Sequence, residues 1–157
     1  MTEKKRVLMI CLGNICRSPI AEAVFANVIK EKGLQDSWEV ESAALIGYHT
    51  GKGPDNRATK TLKEKGITDY IHKARPIKTS DYNSFDWIFG MDKDNISELE
   101  SRKPPGSKAK VELLGTYDPQ GEIIIRDPYY DDGSAGFLKA YEQCDRSVRA
   151  FLEKQTA

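Results

Sequence analysis

The sequence predicts an α/β fold, with a mainly parallel sheet covered by helices on both faces. Short, continuous apolar runs, the mark of strands buried on both sides, alternate with segments of helical period. Strands separated by helices need right-handed crossovers, which distribute the helices over the two faces. A length of 157 residues suits one compact domain, so residues 1–157 are expected to form a single unit.

The first strand is "RVLMIC", Arg6–Cys11. From Pro19 a helical pattern takes over, with Ile20, Val24 and Val28, and beside them Phe25 and Ile29, recurring at steps of four before Gly33. Pro19 suits the first helical position, where its missing N–H would be an orphan anyway. "WEVESA", Trp38–Ala43, reads as the second strand, and a helix follows from about Pro54 to Lys65 with Gly66 as its stop. "FDWIFGM", Phe85–Met91, is the third strand; a short helix over Asp92–Ser101 has Asp92 or Asp94 as its cap. "KVELL", Lys110–Leu114, is the fourth strand. Phe137, Tyr141, Cys144, Val148 and Phe151 then form one apolar stripe on a long terminal helix, which makes Cys144 a core residue. Between Gly115 and Ser134 the only apolar run is Ile123–Ile125. Irregular segments of that length in a compact domain are usually functional.

Composition excludes several classes. Twenty-four basic and twenty-four acidic residues cancel, so no global field favours nucleic acid or anionic lipid as partner. No apolar run approaches the length needed to cross a bilayer. "MTEKK" leads straight into a strand without the longer apolar region of a secretory signal. Three cysteines, at 11, 16 and 144, fit no disulfide framework, and reduced thiols in a cytoplasmic protein are the expectation. Two histidines, His49 and His72, and no C-x-x-C pair give no reason to expect a metal or another cofactor. The oligomeric state is not written in the chain; a monomer is the expectation.

The stretch "CLGNICRSP" carries the chemistry. Ligands of open parallel sheets bind beyond the carboxyl ends of the strands, and Cys11 ends the first strand there. A loop passing from a strand's end into a helix aims several backbone N–H groups at one point, and the helix dipole adds positive charge. A phosphate fits such a cradle. Arg17 adds a planar fork that can grip two of its oxygens. The same field favours the thiolate of Cys11, and Ser18 can donate to that sulfur. The C-x5-R-[ST] spacing alone would arise by chance in roughly one chain in sixty. Its position between strand and helix is what makes it informative. The Walker A alternative lacks its Gly-Lys-Ser/Thr ending.

With these residues in view, the sequence resembles the low-molecular-weight protein tyrosine phosphatases. The resemblance runs through "VLMICLGNICRSPIAEAVF", "SAALIGYHTGKGPDNRATKTLKEKGI", "HKARPI", "FDWIFGMDKDN" and "YDPQGEIIIRDPYYDD". It implies a three-layer α/β/α sandwich with a four-stranded parallel sheet, and metal-independent hydrolysis of phosphotyrosine or small aryl phosphate monoesters through a phosphocysteine. Cys11 matches the nucleophile, Arg17 the phosphate-binding arginine and Asp127 the general acid. Leu12, Gly13, Asn14, Ile15, Cys16 and Ser18 complete the phosphate loop. Asn14 and Ser18, with Ser42 and His72, match a network that holds that loop in shape. Tyr48, Tyr129 and Tyr130 match the aromatic walls of the substrate cleft, and in this family the last two can be kinase targets. Cys16 matches a thiol that traps the oxidised nucleophile as a disulfide. Ala44, Tyr48, Pro76 and Arg126 depart from the common pattern, and Tyr48 and Arg126 bear on substrate preference.

Other readings coexist with these. Asp-Pro is a common turn starter, so Asp127 has a rival acid in Asp118 of the other Asp-Pro step. His49 reads as a solvated loop residue, and His72 as a brace rather than a proton carrier. An arsenate reductase would share the loop but needs resolving cysteines downstream, and residues 48–110 contain none. A non-catalytic phosphotyrosine-binding adaptor would have no need of nucleophile, arginine, serine and acid together.

Overall fold

The computed structural model describes residues 3–156; Met1, Thr2 and Ala157 of the expected 1–157 unit lie outside them. Four strands, β1 (Lys5–Cys11), β2 (Trp38–Ala44), β3 (Trp87–Gly90) and β4 (Lys110–Leu113), form one sheet in the order β2-β1-β3-β4. Every pairing is parallel. The helices are α1 (Arg17–Glu31), α2 (Asn56–Glu64), α3 (Asp81–Ser84), α4 (Lys93–Arg102) and α5 (Ala135–Thr156).

Strand alternation sorts the core into two layers. Val7, Met9 and Cys11 of β1 point into a cluster with α1, α2 and α5, while Leu8 and Ile10 point into a second with Tyr82, Phe85 and Leu99. Each such buried side chain contributes about 1.5–3 kcal/mol relative to exposure. Phe151 fixes α5 to the sheet, its ring meeting those of Phe25, Trp38, Trp87, Phe89 and Tyr117 at 5.1–6.4 Å. Cys144 is fully buried in the same layer, and burial pushes its thiol up to about 12.

Several boundaries move from where the sequence put them. Helix α1 starts at Arg17, not Pro19, with Ile20 N–H already bonded to Cys16 C=O. Pro19 is therefore third in the helix, still among the positions whose N–H would have no intrahelical partner. Arg17 and Ser18 consequently ride on the first helical turn rather than on the loop. Helix α2 begins after Pro54 and Asp55, because the Asp55 carboxylate caps it by accepting the Arg57 N–H at 2.9 Å. The third strand shortens to Trp87–Gly90 because Phe85 N–H closes α3 on Asp81 C=O. Neither α3 nor the 3-10 turn Leu114–Tyr117 was anticipated; both are single turns, too short for a period to register.

The segment after β4 is strapped down without joining the sheet. Ile125 N–H bonds to Met91 C=O at 2.9 Å, and Gln143 Nε2 donates to Ile124 C=O at 2.9 Å. Its backbone crosses Gly115 so closely that a Cβ there would lie 2.0 Å from the Ile123 oxygen. Of the three isoleucines only Ile125 is fully buried.

Candidate active site

Cys11, the last residue of β1, and the loop into α1 line a cleft of about 340 Å³ at the carboxyl end of the sheet. Asp127, Tyr129, Tyr130, Tyr48 and His49 line it too. The loop turns through Asn14, whose φ of +59° lies in the left-handed region that asparagine tolerates better than most residues.

Asn14 also organises the loop, and its hydrogen bonds have a fixed sense. The Arg75 backbone N–H can only donate, so the Asn14 oxygen must face it, at 3.2 Å. The same oxygen meets His72 Nε2 at 2.9 Å, so that nitrogen carries a proton. The amide nitrogen then donates both of its protons, to Ser18 Oγ at 2.8 Å and to Ser42 Oγ at 3.0 Å. Ser18 Oγ lies 3.0 Å from Cys11 Sγ and keeps its own proton free to donate to that sulfur when it is a thiolate. Ser42 likewise donates onward to the carboxyl of Glu22, which also accepts from Tyr70 OH. Burial pushes Glu22 up, against the pull of those two hydroxyls, and pushes His72, whose Nδ1 lies 3.5 Å from Glu22 Oε1, down.

Arg17 is 2% exposed, and its guanidinium is held in place on one side. Nη1 donates to Asp92 Oδ2 at 2.6 Å and to Ile125 C=O at 3.0 Å. Nη2 lies 3.6 Å from Asp127 Oδ2, while Nε is buried with no protein partner. Burial opposes the charge, but Cys11, Asp92 and Asp127 outweigh it and hold the guanidinium above its ordinary value. Asp92 thus caps α4 through Asn95 N–H and orients Arg17 with its other oxygen; the sequence supplied only the first role.

Asp127 Oδ1 accepts the Tyr129 N–H at 3.0 Å, which turns the carboxylate into the cleft. The rival, Asp118, faces elsewhere. Arg146 grips both of its oxygens, at 2.9 and 3.0 Å, and holds its carboxyl below the usual range. Asp118 is a structural anchor for α5 and not a cleft residue.

The walls also differ from expectation at one point. His49 is not a solvated loop residue but part of the aromatic wall, its ring centroid 4.8 Å from Tyr48 and 5.9 Å from Tyr129. Gly13 makes room for it, since a Cβ there would sit 2.9 Å from the imidazole. Tyr48 and Tyr130 are 77% and 90% exposed and stand at the mouth; Tyr129 is half-buried. Cys16 lines the same cleft as Cys11, and burial, with Cys11 beside it, pushes its thiol strongly up. Among the described residues no group of three or more His, Cys, Asp or Glu side chains is placed to hold a metal ion. Nor is any helix of the described residues long and apolar enough to cross a membrane.

Comparison with known proteins agrees with this geometry. The sequence pattern of the family described as low molecular weight phosphotyrosine protein phosphatase matches residues 6–157. Among curated relatives bearing that name, the human protein is 49% identical over 152 residues and the Sus scrofa protein 47%, in each case over 96% of this chain and 95% of the relative. The crystal structure of Primo-1 superposes with a TM-score of 0.93 at 45% identity, covering 98% of this chain and 99% of that one. Site, fold and sequence therefore agree that this chain belongs to the low molecular weight phosphotyrosine protein phosphatase family.

Proposed function

We propose that Cys11, Arg17 and Asp127 hydrolyse phosphotyrosine and related aryl phosphate monoesters through a phosphocysteine. The observation that carries this reading is convergence: Cys11, whose sulfur lies beside Ser18, and Asp127 line one cleft, and Arg17 Nη2 lies 3.6 Å from the Asp127 carboxylate. The dianionic phosphate sits in the loop, its oxygens met by the backbone N–H groups of Leu12 to Cys16 and by Arg17 Nε and Nη2. The Cys11 thiolate attacks phosphorus in line, and the bond to the aryl oxygen breaks as Asp127 gives that oxygen a proton. Water then attacks phosphorus, Asp127 takes its proton, and inorganic phosphate leaves with the sulfur again a thiolate. Tyr48, His49 and Tyr129 supply flat walls against which an aromatic ring packs.

The cleft of about 340 Å³ and its aromatic rim favour phosphotyrosine side chains and small aryl phosphates as substrates. The buried neighbour Cys16 is suited to close a reversible disulfide on an oxidised Cys11, and three free thiols support a cytoplasmic site of action. The deciding experiment is rapid mixing with p-nitrophenyl phosphate. Wild type gives a burst of p-nitrophenol equal to the enzyme concentration, and Cys11→Ser gives none while still binding vanadate. A Cys11→Ser protein with near-normal turnover would mean that another group attacks.

A further inference from the structure

We propose that Arg57 is a positioning residue that sets the acid loop against the phosphate loop and so aims Asp127. The proposal rests on Asp127 being the proton donor. Arg57 is the second residue of α2 and lies outside the cleft lining. Its guanidinium uses all three nitrogens. Nε and Nη2 form a fork on Asp55, each at 3.1 Å. On the other side Nη1 donates to Asp131 C=O at 2.7 Å and Nη2 to Tyr129 C=O at 2.8 Å. The face of the same group lies 4.4 Å above the ring of Phe137, at the start of α5.

Both ends of this strut reach the chemistry. Asp55 N–H bonds to Ile15 C=O in the phosphate loop at 2.8 Å, so Arg57 is referenced to the strand–helix cradle. At the other end the Tyr129 residue is held twice: its N–H by the Asp127 carboxylate, its C=O by Arg57. Residues 118–134 have no helix or strand to fix their carbonyls. The Asp127 oxygens are thus located through Tyr129 and Arg57 rather than through a ladder. A lysine could not replace this function, because one ammonium cannot grip a carboxylate fork and two separate carbonyls while stacking on a ring.

The test compares kcat/KM for p-nitrophenyl phosphate, a good leaving group, with that for phenyl phosphate, a poor one. This parameter covers the steps through departure of the phenol. Arg57→Gln should lower kcat/KM on phenyl phosphate about tenfold more than on p-nitrophenyl phosphate, with inhibition by vanadate unchanged within about twofold. Arg57→Lys, which keeps charge and stem and therefore guards against a failure to fold, should shift the ratio the same way. In an Asp127→Asn background, which already discriminates against phenyl phosphate, Arg57→Gln should add no further discrimination. Equal losses on both esters, or additive losses in the double variant, would overturn the role of Arg57 while leaving Asp127 as donor. An Asp127→Asn protein that treats both esters alike would remove the donor reading itself, and this proposal with it.

Discussion

The phosphate loop and the acid loop face each other across one cleft and are held by opposite means. The first is short, begins on a central strand and ends in α1. Its side-chain ties gather on Asn14, which bonds Ser18, Ser42, His72 and the Arg75 N–H, and backbone N–H groups of Leu45, Ile46 and Asp55 hold its carbonyls. The second has no regular structure, and cations from other elements hold it: Arg17 on Ile125 C=O, Arg57 on Tyr129 and Asp131 C=O, Arg146 on Asp118. The difference follows from what each must do. A cradle for a dianion has to stay rigid without adding negative charge near its N–H groups, and neutral hydrogen bonds achieve that. A loop that carries an acid across the cleft lacks a backbone ladder, and arginine forks supply the missing carbonyl partners.

The largest expected effect separates the two loops by chemistry. Asp127→Asn should reduce kcat/KM on phenyl phosphate by about 10²–10⁴-fold, and on p-nitrophenyl phosphate far less, as loss of a general acid requires. A uniform loss across leaving groups would move the acid elsewhere. Next comes the hub of the phosphate loop. Asn14→Ala leaves Arg75 N–H and two serine hydroxyls without their partner and keeps a β-carbon at positive φ. About 2–4 kcal/mol of stability should go, a fall in Tm on the order of 5–15 °C, together with most vanadate affinity. Asn14→Gly relieves the backbone but not the lost bonds, so it should recover only the roughly 1 kcal/mol due to φ. Full recovery in calorimetry would mean that conformation, and not the network, selects asparagine.

Asp118→Asn should cost about 1–3 kcal/mol by leaving the Arg146 fork without its anion, with catalytic parameters unchanged. The sign of its pH dependence follows from the depressed carboxyl. Its stabilisation is present above the unfolded value near 3.9 and is lost as pH falls through the lower folded value. Urea midpoints between pH 5 and 2 should therefore converge for wild type and Asp118→Asn as the pH drops. Curves that stay parallel would show that the pair contributes nothing through charge. The smallest effect is expected on the exposed side of the acid loop. Arg126 forks onto Asp131 at 3.0 and 2.6 Å, but with 65% of its side chain exposed the pair is screened by water and should contribute little. Arg126→Gln should change the leaving-group ratio by less than about threefold; a shift as large as that of Arg57→Gln would erase the distinction between inner strut and outer clasp.

How far the site could be read in advance follows the same division. Cys11, Arg17 and Ser18 were legible because they are packed into one strand–loop–helix step, where spacing dictates geometry. Asp127 was named through the family resemblance, because on dipeptide grounds it is indistinguishable from Asp118. Arg57, the second duty of Asp92 and the wall position of His49 left no signal, since each acts on a residue far along the chain. Pro19 misled by one half-turn for a related reason: proline is tolerated anywhere in the first helical turn, so it marks a helix start only loosely.

Local pattern was enough for the four strands, the main helices and the anion cradle, because the forces involved act within a pleat, a turn or a cap. Which of two identical Asp-Pro steps faces the cleft, and which arginines hold it there, emerged from the folded chain. A carboxylate's role depends on the cations and cavities around it, and here those arrive on Arg17, Arg57 and Arg146 of α1, α2 and α5, each at least 28 positions along the chain from the loop residue it holds.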